Sequence, residues 1–171
     1  VATFGGYDSR NLCKFFLLNS CFISQSIKID LILGDVNQKQ VNDYNKIIKK
    51  IGKDKCINLF INPKDFTKKI YLADLAICSG GLSIYDLALS RTPTVSIPQY
   101  KHQLKTIIKL DKLNITKMGT RSMQLNNSYF QVQVDRLIKD FKLRQKMVNA
   151  SRKHIDGQGL YRVIKKISEF I

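Results

Sequence analysis

Two short turns carry the residues most able to do chemistry. Gly5-Gly6-Tyr7-Asp8 follows the apolar run "VATF", and Ser79-Gly80-Gly81 follows "LAIC"; both lead into helical patterns. A glycine turn at a helix start can aim several backbone N–H groups at one anion, and the helix dipole favours negative charge there. Glycine also reaches positive φ and lets a phosphate approach the backbone closely. Neither turn is a phosphate-binding P-loop, because no GK[ST] follows, and neither is the dinucleotide fingerprint GxGxxG. Each alone also reads as a plain tight turn. Two at corresponding edges of one sheet favour phosphate binding. Asp86 lies three residues after Ser83. The pair can close a capping box, or the carboxylate can face the cleft and accept hydrogen bonds from a ribose diol.

Alternating strand and helix patterns position these turns. "VATF" precedes a helical stretch expected from Ser9 to about Ser24, capped by Ser9 or Asp8. "KIDLILG", stopped by Gly34, precedes a helix from about Lys39 to Ile51. "CINLFIN" and Pro63 precede one from about Asp65 to Leu72. "LAICS" precedes one from about Ser83 to Ser90, and "TVSIP" one from about His102 to Leu113. A short strand "NITKM" and a polar loop follow, and Tyr129 to Ile171 reads as wholly helical, broken at "DGQG". The alternation predicts an α/β fold, a Rossmann-like doubly wound parallel sheet in one domain over residues 1–171. Ligands of such sheets bind beyond the carboxyl ends of the strands, where both turns fall.

Composition bounds the partners. A chain of 171 residues, 44% hydrophobic and 25% charged, suits one globular domain. No run reaches the roughly 20 apolar residues that a bilayer demands, and "VATFGG" is not a secretory signal. The chain begins at Val1 directly on a strand, which suggests a piece of a longer one. Cys13, Cys21, Cys56 and Cys78 have no metal-like spacing; Cys13, Cys21 and Cys78 sit in apolar surroundings as small buried hydrophobes, and a reducing cytoplasmic location is expected. The net charge of +16 comes from lysines spread over nearly every segment. It fits a solvated basic surface, with help in attracting anionic ligands or lipid head groups as the next reading. No nucleic-acid-binding motif accompanies it.

The segments "FGGYDSRN", "DFTKKIYLADLAICSGGLSIYDLALSRTPTVSIP", "HQ" and "IDGQGLYRV", in that order, resemble the C-terminal half of a GT-B nucleotide-sugar enzyme. The broad group holds the MurG-type glycosyltransferases. The nearer likeness is to the UDP-sugar hydrolase of pseudaminic acid synthesis and to spore-coat polysaccharide proteins. The resemblance spans almost the whole chain. It implies a donor-binding domain that takes the UDP part of a nucleotide sugar, without a cofactor. It places Gly5, Gly6 and Asp8 near the diphosphate, and Ser79, Gly80, Gly81, Leu82 and Ser83 against phosphates or ribose. Asp86 stands where the family has a ribose-binding Glu, residues from Asn62 to Phe66 flank the base, and Gln103 lies near the sugar. Tyr7 replaces a small Ser, and Arg91 stands where Gly is usual.

In that family the acceptor site and catalytic base belong to an N-terminal domain, which this chain lacks. Its two histidines do not fill the gap: His102 starts a helix beside the cleft and can touch a sugar or phosphate, whereas His154 is expected on the surface. No Ser-His-Asp set, carboxylate pair or metal cluster is readable, so the chain alone is expected to be inactive. Two further readings stay open, a non-catalytic basic module for nucleic acid or an anionic membrane, and a degenerate half that serves as an interaction domain.

Overall fold

The β-rich runs form six short strands: β1 (Ala2–Thr3), β2 (Ile29–Leu33), β3 (Ile57–Ile61), β4 (Ala76–Ser79), β5 (Thr94–Ile97) and β6 (Lys117–Met118). In the computed structural model, which describes residues 1–170, they make one parallel sheet in the order β3-β2-β1-β4-β5-β6. The helices between them are α1 (Leu12–Leu18), α2 (Gln38–Lys50), α3 (Phe66–Tyr71), α4 (Ser83–Leu89) and α5 (Lys101–Lys112); α6 (Asn127–Lys139), α7 (Phe141–His154) and α8 (Gly159–Ser168) follow β6. This is the doubly wound α/β arrangement that the alternation predicts. β1 is its hinge, pairing with β2 through Ala2 and Leu31 and with β4 through Ala2 and Ile77.

Successive strand side chains point to opposite faces, and the core divides accordingly. Ile77 joins Phe4, Phe16, Leu31, Leu33, Tyr44, Ile48, Phe130 and Val134 on the face covered by α1, α2 and α6. Its neighbours Ala76 and Cys78 join Ile70, Ile84, Leu87, Ile107 and Leu110 under α3, α4 and α5. Three helix starts are set by short polar side chains. Asn37 and Gln40 close a capping box on α2, Asn126 Oδ1 accepts from Tyr129 N at 2.8 Å, and Asp140 Oδ1 accepts from Leu143 N at 2.9 Å.

Three elements differ from the sequence expectation. The first helix covers only Leu12–Leu18: Asn11 is left-handed at its start, and at its end the Asn19 amide bonds back to Phe15 O and across to Asn127 Oδ1. The C-terminal stretch is interrupted at Asp140 as well as at "DGQG", since that residue leaves helical geometry to cap α7. Cys21 is exposed rather than buried, one turn-length past the end of α1, while Cys13, Cys56 and Cys78 are buried. At "DGQG" itself Gly157 has φ 74°, and Arg162 forms a two-pronged ion pair with Asp156 at 2.7 and 3.0 Å. Arg91, also left-handed at φ 63°, follows α4 and donates to Ile155 O at 3.0 Å. Among the described residues no helix is long and apolar enough to cross a membrane.

Candidate functional site

The strand order reverses direction between β1 and β4, and that is where the crevice of a doubly wound sheet opens. The two glycine turns leave these two adjacent strands and meet. The Oγ of Ser79 lies 3.9 Å from where a Cβ on Gly5 would stand and 3.8 Å from that of Gly81. Gly5 has φ 87°, a conformation that L side chains rarely adopt. A cleft of about 360 Å³ runs from this junction across the ends of β2 and β3. Gly5, Gly6, Asn62, Phe66 and Ser83 line it, together with Gly34 and Pro63. Asn62 sits left-handed at φ 42°, held by its N–H on Leu33 O at 2.9 Å.

The remaining sequence-selected residues stand around this cleft rather than in its lining. Asp8 spends its carboxylate on α1, accepting from Leu12 N at 2.7 Å and Cys13 N at 2.8 Å. That meets the helix-capping reading of Asp8 and leaves the first turn its backbone amides for an anion. Burial and the neighbouring Asp8 carboxylate push the Cys13 thiol far up. Gly80 is a packing glycine: a Cβ there would press on Ile107 and Gln103 of α5, within 2.8 to 2.9 Å. Leu82 is 83% exposed, and its carbonyl accepts from Tyr85 N at 2.9 Å at the start of α4.

The capping box between Ser83 and Asp86 is absent. No side chain caps α4, and Asp86 is exposed on its first turn, with no side-chain hydrogen bond or ion pair among the described residues. That leaves a free carboxylate beside the second turn. Gln103 is buried; its Oε1 accepts from Gln99 N at 2.8 Å, and its Nε2 is 3.7 Å from where a Gly81 Cβ would be. His102 is exposed at the start of α5 and stacks on Tyr100, the ring centroids 5.7 Å apart. His154 ends α7 and is exposed, as expected.

Sequence reasoning passed over three residues here. Gly34 reads only as a strand stop, yet a Cβ on it would overlap the Gly6 carbonyl, which also accepts from Asp35 N at 2.6 Å. Arg10 donates to Pro98 O and Met123 O, tying the first turn to the segments after β5 and β6. Gln99 donates to Tyr7 O. Only the glycine at a strand end was a usable signal; the other two act through long-range contacts that no local pattern reveals.

A larger cavity, about 470 Å³, lies at the opposite edge, among Val1, Lys28, Ile29, Asp74 and Ala76 where strands begin. Backbone carbonyl ends of helices face that edge, the reverse of what an anion requires. The switch-point cleft is the better candidate on both topology and charge. Among the described residues no group of His, Cys, Asp and Glu could hold a metal ion.

Comparison with known proteins bears on the fold. No family model matches the chain, and no curated protein sequence matches it. Solved structures do. The chain superposes on MurG of Acinetobacter baumannii with a TM-score of 0.75 at 17% identity, covering 98% of this chain and 49% of that one. With WaaG, a glycosyltransferase involved in lipopolysaccharide biosynthesis, the TM-score is 0.74 at 13% identity over 99% and 46%. With Anabaena HepE, whose structure is in complex with UDP, it is 0.67 at 10% identity over 99% and 48%. The fold is that of one half of these two-domain GT-B structures. The chain spans about half the length of each structure, and the GT-B half expected from the sequence is the fold observed.

Proposed function

We propose that this domain binds the nucleotide part, UDP, of a nucleotide-sugar donor for glycosyl transfer or nucleotide-sugar hydrolysis in surface polysaccharide or nonulosonic acid synthesis. One observation carries the reading: two glycine turns from adjacent strands meet at the topological switch point, beside the unpaired carboxylate of Asp86. In this reading the backbone N–H groups of Gly5, Gly6 and Gly81 receive the diphosphate, Asp86 accepts from the ribose diol, and Asn62 to Phe66 flank the base. Gln103 and His102 face the sugar. That one of the structural neighbours holds UDP supports the choice of nucleotide.

The chemistry expected is attack at the anomeric carbon with departure of UDP, whose developing charge preorganised amides stabilise. The attacking oxygen and the base that takes its proton would come from a second domain. Water as acceptor gives hydrolysis, and a sugar hydroxyl gives transfer; the donor side is the same for both. Helix α8 is consistent with such a partner, because none of its residues is buried and Leu160, Val163, Ile164 and Ile167 are 55 to 73% exposed along it.

Calorimetric titration with UDP, UMP, GDP and CMP tests the reading. UDP should bind most tightly, and Asp86→Ala should weaken it by roughly tenfold or more, the loss of one or two charge-assisted hydrogen bonds. Equal affinity for all four nucleotides, or a neutral Asp86→Ala, would overturn it.

A further inference from the structure

Gln99 follows β5 and is only 4% exposed. Its side-chain Nε2 donates to Tyr7 O in the first glycine turn and lies 3.3 Å from Ser9 Oγ and 3.4 Å from Tyr100 Oη. Its backbone N–H donates to Gln103 Oε1, and the other end of the Gln103 amide borders Gly81 in the second turn. One residue therefore spans both turns from behind. Its Oε1 is a buried side-chain acceptor with no partner, the one such atom among the described residues. Rotating the amide does not rescue it, because Oε1 would then face the Tyr7 carbonyl, acceptor against acceptor.

A buried acceptor left without a donor destabilises a fold. A side chain kept for packing alone would be apolar here. The geometry points to Gln99 as the positioning residue of the anion cradle: its amide N–H fixes the first turn at a set distance from the second, and the orphan Oε1 is the destabilising consequence of having an amide there. We propose that the diphosphate-binding shape of the Gly5-Gly6 turn depends on the Gln99-to-Tyr7 hydrogen bond. This rests on the nucleotide reading of the cleft, and it assigns the phosphate part of that affinity to a residue that does not touch the ligand.

The test compares UDP with uridine, which lacks the phosphates, on wild type, Gln99→Met and Gln99→Glu, with thermal unfolding of each. Gln99→Met keeps the length and removes both amide ends; the Tyr7 carbonyl it frees belongs to an exposed residue and can turn to water. Its melting temperature should stay within about 3 °C of wild type, while UDP affinity falls roughly tenfold or more and uridine affinity changes less than about twofold. Gln99→Glu should bind UDP poorly at neutral pH and recover, relative to wild type, as the pH falls, because a protonated carboxyl can again donate to Tyr7 O.

An unchanged UDP-to-uridine ratio in both variants overturns the proposal, as does a parallel loss for both ligands accompanied by a large drop in melting temperature. Should Gln99→Met fail to fold, the pH profile of Gln99→Glu decides: recovery supports the positioning role, and a flat profile overturns it. Wild type that binds uridine and UDP equally overturns the nucleotide-diphosphate reading and the proposal together, whereas a wild type that prefers UDP with an unchanged ratio in the variants overturns the proposal alone.

Discussion

Gly6 and Gly34 face each other across the cleft floor but are glycine for different reasons. A Cβ on Gly34 would overlap the Gly6 carbonyl, and backbone cannot yield as a flexible side chain can. Gly34→Ala should cost about 1–3 kcal/mol of stability by overpacking, read as a fall in melting temperature. Nothing lies within 4 Å of the Cβ position on Gly6, so Gly6→Ala should leave stability within about 0.5 kcal/mol while weakening UDP through the methyl group it adds to the cleft wall. A Gly6→Ala protein that unfolds early but binds normally would contradict the site. The cysteines separate in the same way. Burial pushes the Cys78 thiol up to about 12 and the Cys13 thiol further, and Cys56 is also buried; Cys21 alone is exposed. The thiolate is the reactive form, so a thiol reagent should modify one cysteine quickly in the native protein and all four after denaturation.

At the scale of elements, the parts nearest the cleft are the shortest. α1 and α4 have seven residues each, about two turns. Asp8 engages two of the first amides of α1, so in the proposed reading the phosphates rest on the turn amides. α8 is a separate case, joined to the domain through an elbow that Asp156 and Arg162 clamp. The Arg162 guanidinium and a backbone N–H hold the Asp156 carboxyl well below the usual carboxylate range. A carboxyl whose pKa is depressed on folding contributes in full above its unfolded-state pKa and loses that contribution progressively as pH falls from there to the depressed value. The elbow should therefore keep this contribution from about pH 7 to about pH 5 and lose it progressively below about pH 4, where an unpaired Asp titrates. Fluorescence from a probe on α8 would show it, and Asp156→Asn, which has no carboxyl to protonate, should remove the fall at low pH.

For the whole molecule, the +16 charge is a field rather than a site. Lysines occur over nearly the entire chain, and the ion pairs that exist are mostly exposed partners three or four residues apart, such as Lys46 with Asp43 and Lys139 with Asp135. Such a field attracts any polyanion, with an affinity that falls steeply with salt. Binding through turn amides and one carboxylate should decline more gently. Raising salt from about 50 to about 200 mM should lower UDP affinity by less than about tenfold, against losses of a thousandfold or more for a ligand that neutralises many phosphates. A steep UDP salt dependence would favour the basic-module reading.

The amino-acid sequence by itself determined the alternation of strands and helices, and with it the doubly wound sheet. Short apolar runs such as "IDLIL", glycines at strand ends and polar helix caps are local signals, each set by residues adjacent in the chain. It also marked both glycine turns and Asp86. What it left open needed contacts between residues far apart in the chain. Only the tertiary structure decided that β1 and β4 are neighbours, so that the two turns meet, and that the carboxylate of Asp86 is free while that of Asp8 is engaged. It alone revealed the space demanded by Gly34 and the bridge from Gln99 to a turn 92 positions earlier. Local patterns record which face of an element is apolar; which strands lie side by side is set by how those faces bury one another, and the cleft exists only once that has happened.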